Sequence, residues 1–332
     1  MIKLAVVGTN WITKQFVDAA LETGRFVLSA VYSRREESAK AFAAQFENSE
    51  QVTLFSDLDE LGKSDKAQAV YVASPNSFHA PQAMSLLRAG KNVICEKPLA
   101  SNYALAQQMY QVAQESGAVL FEAFMSPHTP NFKKLKEELN NIGALRQASI
   151  SYCQRSSRYD RFLAGENPNT FNPEFSNGSI MDIGYYCLGS AVELFGRPTG
   201  VQAQANLLSS GVDGNGTVSL QYPDFNVVLL HSKTSDSYVP SEFQGEQAAL
   251  QMTMISIGEK LERVTRGQPN QDLSLPQHAN PMYYEALEFA EQVESNTINE
   301  ECKARSLVVA ELLTEIRSQT GVVFPADKSE SL

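Results

Sequence analysis

Short, uniformly apolar runs alternate with stretches of helical period along the first third of the chain. Residues 2–7 read as a buried strand, 14–23 as a helix stopped by Gly24, and 26–32 as the next strand. The rhythm repeats, with a helix over 36–46, a strand over 69–73, a helix over 81–89 closed by Gly90, and a strand over 93–95. Ser101 is expected to cap a helix in which Leu105, Met109 and Val112 fall at i, i+4 and i+7, with Gly117 as its stop and 119–121 as a further strand. Strands this evenly apolar are covered on both faces, so the pattern predicts an α/β domain with a doubly wound parallel sheet.

After residue 123 the pattern changes. Residues 148–152, 201–207, 216–222, 226–232 and 248–254 are strand candidates separated by the turn signals "DGNG" and "YPDF", with few helices between them. They predict an open, mostly antiparallel sheet in a second, α+β domain. Two amphipathic helices follow, in "NPMYYEALEFAEQVES" and "KARSLVVAELLTEIRSQ", and the tail from 326 to 332 is expected to fray. The predicted organisation is two domains, 1–123 and 124–332.

Composition narrows the function. The 332 residues suffice for about two domains with a core in each. A net charge of -11, with no block of Lys or Arg longer than a pair, argues against a nucleic-acid footprint and favours a small-molecule substrate. No apolar run approaches the roughly 18 residues of a membrane span, and the N-terminal run is too short for a signal segment. The chain therefore reads as cytoplasmic, with no membrane partner. Four scattered cysteines without a CxxC suggest neither a disulfide framework nor zinc, and no metal is expected.

The first strand runs into "VVGTNWIT". In a dinucleotide fingerprint three glycines allow a tight turn, backbone approach to the pyrophosphate and close helix packing. Only Gly8 is present, with Asn10 and Thr13 in the other two places. Gly8, Thr9, Asn10, Trp11 and Ile12 are the candidate cofactor-binding turn, and Asn10 is a residue that tolerates positive φ. An ordinary strand-to-helix turn fits this motif equally well when it is taken alone. The second strand ends "AVYSRREES", with Ser33 and Arg34 where an NAD site places an acid; hydroxyl and guanidinium suit a 2′-phosphate, so NADP is expected, with NAD possible. The alternative is a solvated helix start in which Arg34 and Arg35 pair with Glu36 and Glu37.

Two further segments end at the same sheet edge. "YVASPNSFHAPQA" offers Ser74, Asn76 and His79 to the cofactor, although a lone His79 reads more readily as a structural first-turn histidine. "KNVICEKPLASN" ends a buried strand with Glu96 and Lys97, which Pro98 aims into the crevice. Lys97 is suited to sharing a proton with a substrate hydroxyl, and Glu96 to orienting it.

"SPNSFH", "EKPLASN" and, downstream, "GSIMDIGYYCLGSAVELFG" resemble, in order along nearly the whole chain, the Gfo/Idh/MocA family of NAD(P)-dependent oxidoreductases. The stretch "SSRYDRFLAGENPNTFNPEFSNGSIMDIGYY" is similar to the branch containing dimeric dihydrodiol dehydrogenases and related sugar dehydrogenases. The resemblance implies a Rossmann domain over 1–123 and a substrate-binding and oligomerisation domain over 124–332. It implies that Lys97 contacts the nicotinamide side and the substrate hydroxyl, with a cis bond before Pro98. It further implies that the D-x-G-x-H/Y motif is Asp182, Gly184 and Tyr186. Tyr186 replaces His as proton donor or acceptor, and Asp182 places the substrate. The implied reaction moves hydride between nicotinamide and a hydroxyl-bearing carbon of a sugar, polyol, diol or related small molecule. Arg158, Tyr159 and Arg161, read as a loop, are further substrate candidates, and Phe124, His128 and Phe132 a candidate pocket wall. An exposed sheet face predicts a homodimer or larger homo-oligomer. Two rivals remain at this level: an enzyme of the same fold with imine or elimination chemistry, and a non-catalytic dinucleotide-binding regulator, toward which the reduced glycine pattern leans.

Overall fold

The computed structural model describes residues 1–47 and 49–328. They fall into two units, 1–123 with 278–307 and 124–277 with 308–328. In the first unit β1 (Ile2–Val7), β2 (Phe26–Tyr32), β3 (Thr53–Phe55), β4 (Ala69–Val72), β5 (Asn92–Glu96) and β6 (Leu120–Ala123) form one sheet. Its order is β3-β2-β1-β4-β5-β6, and every pairing is parallel. The strand order reverses at β1 and β4, the switch point of a Rossmann sheet. Between the strands run α1 (Trp11–Glu22), α2 (Glu36–Ala43), α3 (Leu58–Lys63), α4 (His79–Arg88) and α5 (Tyr103–Ser116). β4 and the centre of β5 are buried throughout, which is why their sequences are continuous apolar runs.

β3 and α3 escaped the hydrophobic pattern. β3 is three residues long and only half-buried at the sheet edge, and α3 is a six-residue helix capped by Asp57. The cap of α5 is Asn102 rather than Ser101. Asn102 is extended and its side chain accepts from Leu105 N, whereas Ser101 is buried one residue earlier. Gly117 ends that helix in the left-handed conformation, φ 62°.

The second unit is built on an eight-stranded sheet. Its strands are β7 (Leu145–Cys153), β8 (Gly200–Leu207), β9 (Asp213–Gln221), β10 (Asn226–Ser232), β11 (Ser241–Gly245), β12 (Ala249–Thr253), β13 (Lys260–Val264) and β14 (Gln271–Asp272). The order is β14-β13-β12-β11-β7-β10-β9-β8, antiparallel except where β10 pairs with β7. One face carries Ala148, Ile150, Val218, Leu220, Val227 and Leu229 into the core, against α6 (Pro130–Glu138) and α8 (Tyr185–Phe195) among others; α7 (Tyr159–Leu163) is a single short helix. "DGNG" is not a turn, because Asp213–Gly216 begin β9. A Cβ on Gly216 would lie 2.7 Å from Gln204 O and 2.8 Å from His231 Nε2, so this glycine permits close approach within the sheet. β11 and β13 each bury a single large apolar side chain, Phe243 and Leu261, too little for a visible alternation.

Residues 278–307 return to the first unit instead of continuing the second. α9 (Met282–Ser295) lies on α1, and Phe289 is fully buried between Phe26 and Phe121, at ring-centroid distances of 6.2 and 6.0 Å. α10 (Glu300–Thr320) begins in the first unit and ends in the second. Of the tail expected to fray, residues 326–328 are instead held. Asp327 forms a two-point ion pair with the buried Arg317, at 2.7 and 3.0 Å, and accepts from Phe324 N. The rest of that tail lies outside the described residues.

The docking of α9 gives a direct test. Phe289→Ala removes a ring buried against the Rossmann sheet and is expected to lower stability by about 3–5 kcal/mol in urea unfolding. A loss under about 1 kcal/mol would show that α9 is not part of that core.

Candidate active site

Gly8 turns the chain at φ 110°, and a Cβ there would sit 2.9 Å from Ala73 O, so β1 and β4 approach too closely for any other residue. Asn10 does not use its tolerance of positive φ. It is extended (φ -89°) and caps α1: Oδ1 accepts from Thr13 N at 3.1 Å and from Thr13 Oγ1 at 3.2 Å, while Nδ2 donates to Ala73 O at 3.1 Å. Thr13 is fully buried beneath this cap. The two replaced glycines thus rebuild the turn with side-chain hydrogen bonds. Thr9 and Ile12 are half-buried and Trp11 is largely exposed.

At the end of β2, Ser33 N donates to Phe55 O and Ser33 Oγ accepts from Arg35 N. The exposed Arg34 guanidinium lies 5.9 Å from the centroid of Phe78. Among the described residues neither Arg34 nor Arg35 has an ion-pair partner, so the pairing with Glu36 and Glu37 is not formed. At the end of β4, Ser74 Oγ is buried without a hydrogen-bond partner among the described residues, and Asn76 opens a short 3₁₀ turn. A capped helix start, a glycine turn, a hydroxyl lacking a partner and an unpaired arginine fit the phosphates and riboses of a dinucleotide. His79 is buried, with Nδ1 2.9 Å from Pro98 O and Nε2 2.8 Å from Ser74 O. In this position it joins the ends of β4 and β5, and burial holds its pKa below the ordinary value.

Glu96 and Lys97 leave β5 half-buried, and the Lys97–Pro98 peptide is cis. Glu96 Oε1 accepts from the buried Tyr71 hydroxyl at 2.5 Å, and Oε2 accepts from Lys97 N at 3.2 Å. Facing it from α9 is Glu285, 1% exposed, with neither carboxyl oxygen hydrogen-bonded among the described residues. Burial first, and the Glu96 charge second, push the Glu285 carboxyl well above the usual carboxylate range. No motif pointed to Glu285, and only its place in the apolar stripe of α9 marks it.

In the second unit Asp182 stands on a π-helical turn, Ile180–Gly184, that leads directly into α8. Tyr186 is half-buried in the first turn of α8 and packs against Tyr152 and Phe124 at 5.7 and 6.0 Å between centroids. β9 and β10 hold the π turn. Ile180 N donates to Asp213 Oδ2 at 2.7 Å, and Ser179 Oγ meets His231 Nδ1 at 2.9 Å. Asp213 and His231 are 3.7 Å apart, too far for a hydrogen bond. Burial lowers His231 to about 4 and raises Asp213 to about 6, so near neutrality the imidazole is uncharged and the contact is no ion pair. Lys233, 3% exposed, places its ammonium on Asp182 Oδ2 and Thr170 Oγ1.

His231 and Lys233 were not foreseen, although both fall in phase with the buried Val227 and Leu229 of β10. Arg158, Tyr159 and Arg161 belong to α7 and its cap, not to a loop. Arg161 pairs with Glu166 at 2.5 Å, Tyr159 packs on Phe162 and Phe171, and Arg158 is exposed. Phe124, His128 and Phe132 are buried, and the two phenylalanines belong to the core rather than to a pocket wall.

Residues 2–124 match the model of an oxidoreductase family with an NAD-binding Rossmann fold, and residues 132–251 match the GFO/IDH/MocA C-terminal domain. The chain belongs to the Gfo/Idh/MocA oxidoreductase family. Over 98% of its length it is 54% identical to the uncharacterised oxidoreductase YgjR of Escherichia coli, with 99% of that protein covered. Over 99% of its length it is 46% identical to IolU of Bacillus subtilis, a scyllo-inositol 2-dehydrogenase (NADP(+)), covered in full. The fold is that of KijD10, a 3-ketoreductase from Actinomadura kijaniata solved with NADP and TDP-benzene. That match has a TM-score of 0.84 at 23% identity and covers 96% and 98% of the two chains. As a Gfo/Idh/MocA member, the protein is an NAD(P)-binding oxidoreductase, and no described helix is long and apolar enough to cross a membrane.

Glu285 yields a stability prediction. The folded carboxyl keeps its proton above the ordinary carboxylate pKa near 4.3, while the unfolded one releases it there. Between those two points the native state binds more protons, so this contribution is complete in acid and declines as pH rises through the window. Glu285→Gln is therefore expected to raise the thermal midpoint at pH 8 by a few degrees relative to wild type and to leave it nearly unchanged at pH 4. An equal shift at both pH values would show that the effect does not come from the Glu285 proton.

Proposed function

We propose that this protein is an NADP(H)-dependent dehydrogenase that interconverts a hydroxyl and a carbonyl on a polyol, sugar or related diol. The observation that carries the reading is the end of β2. There Ser33 and the exposed, unpaired Arg34 stand where a carboxylate would otherwise hold an NAD ribose, and a guanidinium fork favours a 2′-phosphate. Likeness to the NADP-dependent IolU supports both the cofactor and a cyclic polyol as substrate.

Gly8, Thr9, Asn10, Trp11, Ile12, Ser33, Arg34, Ser74, Asn76, His79, Glu96 and Lys97 make up the cofactor side of the proposal. Bound nicotinamide supplies the hydride acceptor or donor. The chain has to move the proton. Tyr186 accepts it as the phenolate in oxidation and returns it as the phenol in reduction, Lys97 is assigned a hydrogen bond to the substrate, and Asp182 accepts from a substrate hydroxyl. Arg158 and Tyr159 are assigned to the outer substrate contacts. A regulator without catalysis loses its main support, because Asn10 and Thr13 complete the cofactor turn instead of blocking it.

The outer face of the eight-stranded sheet carries Gln147, Val228, Leu230, Ser219, Gln221 and Gln202, and self-association through it is part of the proposal. A cytoplasmic location is also proposed, supported by the buried thiols of Cys95 and Cys187, which fit a reducing compartment.

Calorimetry tests the cofactor assignment. NADPH is expected to bind at micromolar strength and more tightly than NADH, and Arg34→Ala is expected to erase most of that preference. With scyllo-inositol and NADP+, Lys97→Ala and Tyr186→Phe are expected to lower kcat by about 10²- to 10⁴-fold. Equal affinity for the two nucleotides, unchanged by the mutation, would refute the NADP assignment. For self-association, light scattering at micromolar concentration is expected to give twice the 36.5 kDa chain mass or more. A monomer would contradict it.

A further inference from the structure

Lys233 follows directly on β10, and its main chain is fixed by hydrogen bonds from Lys233 N to Gly214 O and from Ser156 N to Lys233 O, both 2.8 Å. An ammonium this deeply buried is stable only where its charge is met. Its Nζ reaches Asp182 Oδ2 and Thr170 Oγ1 and lies 5.5 Å from the centroid of Phe171. Asp182 differs, with 35% of its side chain exposed. The pair thus joins an inaccessible cation to a carboxylate that opens toward solvent.

The surroundings make this a device for placing the carboxylate. Asp213 and His231 hold Ser179 and Ile180 at the start of the π turn, and a Cβ on Gly184 at its end would come within 3.0 Å of the His231 ring. The backbone under Asp182 is therefore fixed on both sides, and the remaining freedom is that of its own side chain. Lys233 removes it. Buried ion pairs add little net stability, so stability alone is a weak reason for a lysine at this inward position.

We propose that Lys233 is a positioning residue for Asp182, holding the carboxylate in the orientation in which it receives a substrate hydroxyl. The inference rests on the reading of Asp182 as the substrate-placing group. Neither the motif nor the family resemblance assigns Lys233 a role.

The test uses wild type, Lys233→Met, Asp182→Asn and the double variant, with scyllo-inositol and NADP+ as the probe. Lys233→Met is expected to lower kcat/KM on the order of 10- to 100-fold by misplacing Asp182, while NADPH affinity stays at the wild-type value. In the Asp182→Asn background the same change is expected to cost nothing further. Urea unfolding of the four proteins gives a second readout. Asp182→Asn leaves a buried ammonium without its ion-pair partner and lowers the midpoint, and adding Lys233→Met restores it. If Lys233→Met fails to fold, Thr170→Val, which removes only one contact of the ammonium, is expected to show a smaller loss that also vanishes with Asp182→Asn. Wild-type kcat/KM in Lys233→Met, or the same loss in both backgrounds, overturns the proposal. If the wild type does not turn over scyllo-inositol, the substrate reading fails for that polyol. The urea cycle then still decides the pairing: recovery in the double variant upholds it and its absence overturns it.

Discussion

A charge or polar group taken out of water has to be met by a partner, and in the second unit that requirement shapes everything around Asp182. The ends of β9 and β10 bring Asp213, His231 and Lys233 to one π turn, and each makes a polar contact with that turn or the residue before it. The imidazole fits because two glycines flank it: a Cβ on Gly184 or on Gly216 would come within about 3 Å of the ring. Its neutrality follows from the same enclosure, because burial outweighs the Asp213 carboxyl 3.7 Å away. The wide turn, the two glycines and the uncharged histidine are thus a single solution to one packing problem.

The first unit solves a related problem at the carboxyl edge of its sheet. Apolar strands that run straight to a polar edge need something to fix their ends. His79 supplies this by touching carbonyls at the ends of both β4 and β5, and Tyr71 does so by donating to Glu96 from inside the sheet. Tyr71 is in turn stacked on Phe16 of α1 at 4.0 Å, so the helix that begins after the Gly8 turn and the strand that carries Glu96 are linked through one ring pair. Glu285 arrives from far along the chain, and the charge of the same acid adds to the burial that keeps its carboxyl protonated.

The parallel sheet was legible because β1, β2, β4, β5 and β6 are largely buried and because Gly24, Gly90 and Gly117 follow α1, α4 and α5. The motifs carrying Lys97, Asp182 and Tyr186 were legible because they are short and local. What could not be read were features set by distant neighbours. "DGNG" has the composition of a turn, and only its pairing with β8 and β10, with His231 opposite Gly216, makes it a strand. Arg161 looked like a ligand-binding side chain until the nearby Glu166 was seen to occupy it. The return of residues 278–307 to the Rossmann unit depends on Phe289 meeting Phe26 and Phe121, a contact invisible to periodicity. Lys233 was hidden for the opposite reason: its inward phase was visible, but a lysine following a buried strand looks like the start of a loop.

Arg34 and Arg35 stand apart from all of this. They are exposed, they make no ion pair among the described residues, and no core side chain depends on them. Substitution at such positions usually changes stability by no more than about 0.5 kcal/mol. Whatever phosphate preference this edge of β2 confers is therefore a detachable trait. Evolution could exchange it by one or two codon changes while the buried strands, the π turn and its clamp stay as they are, and lineages sharing this scaffold are free to diverge in the redox pool they draw on without passing through an unfolded intermediate sequence.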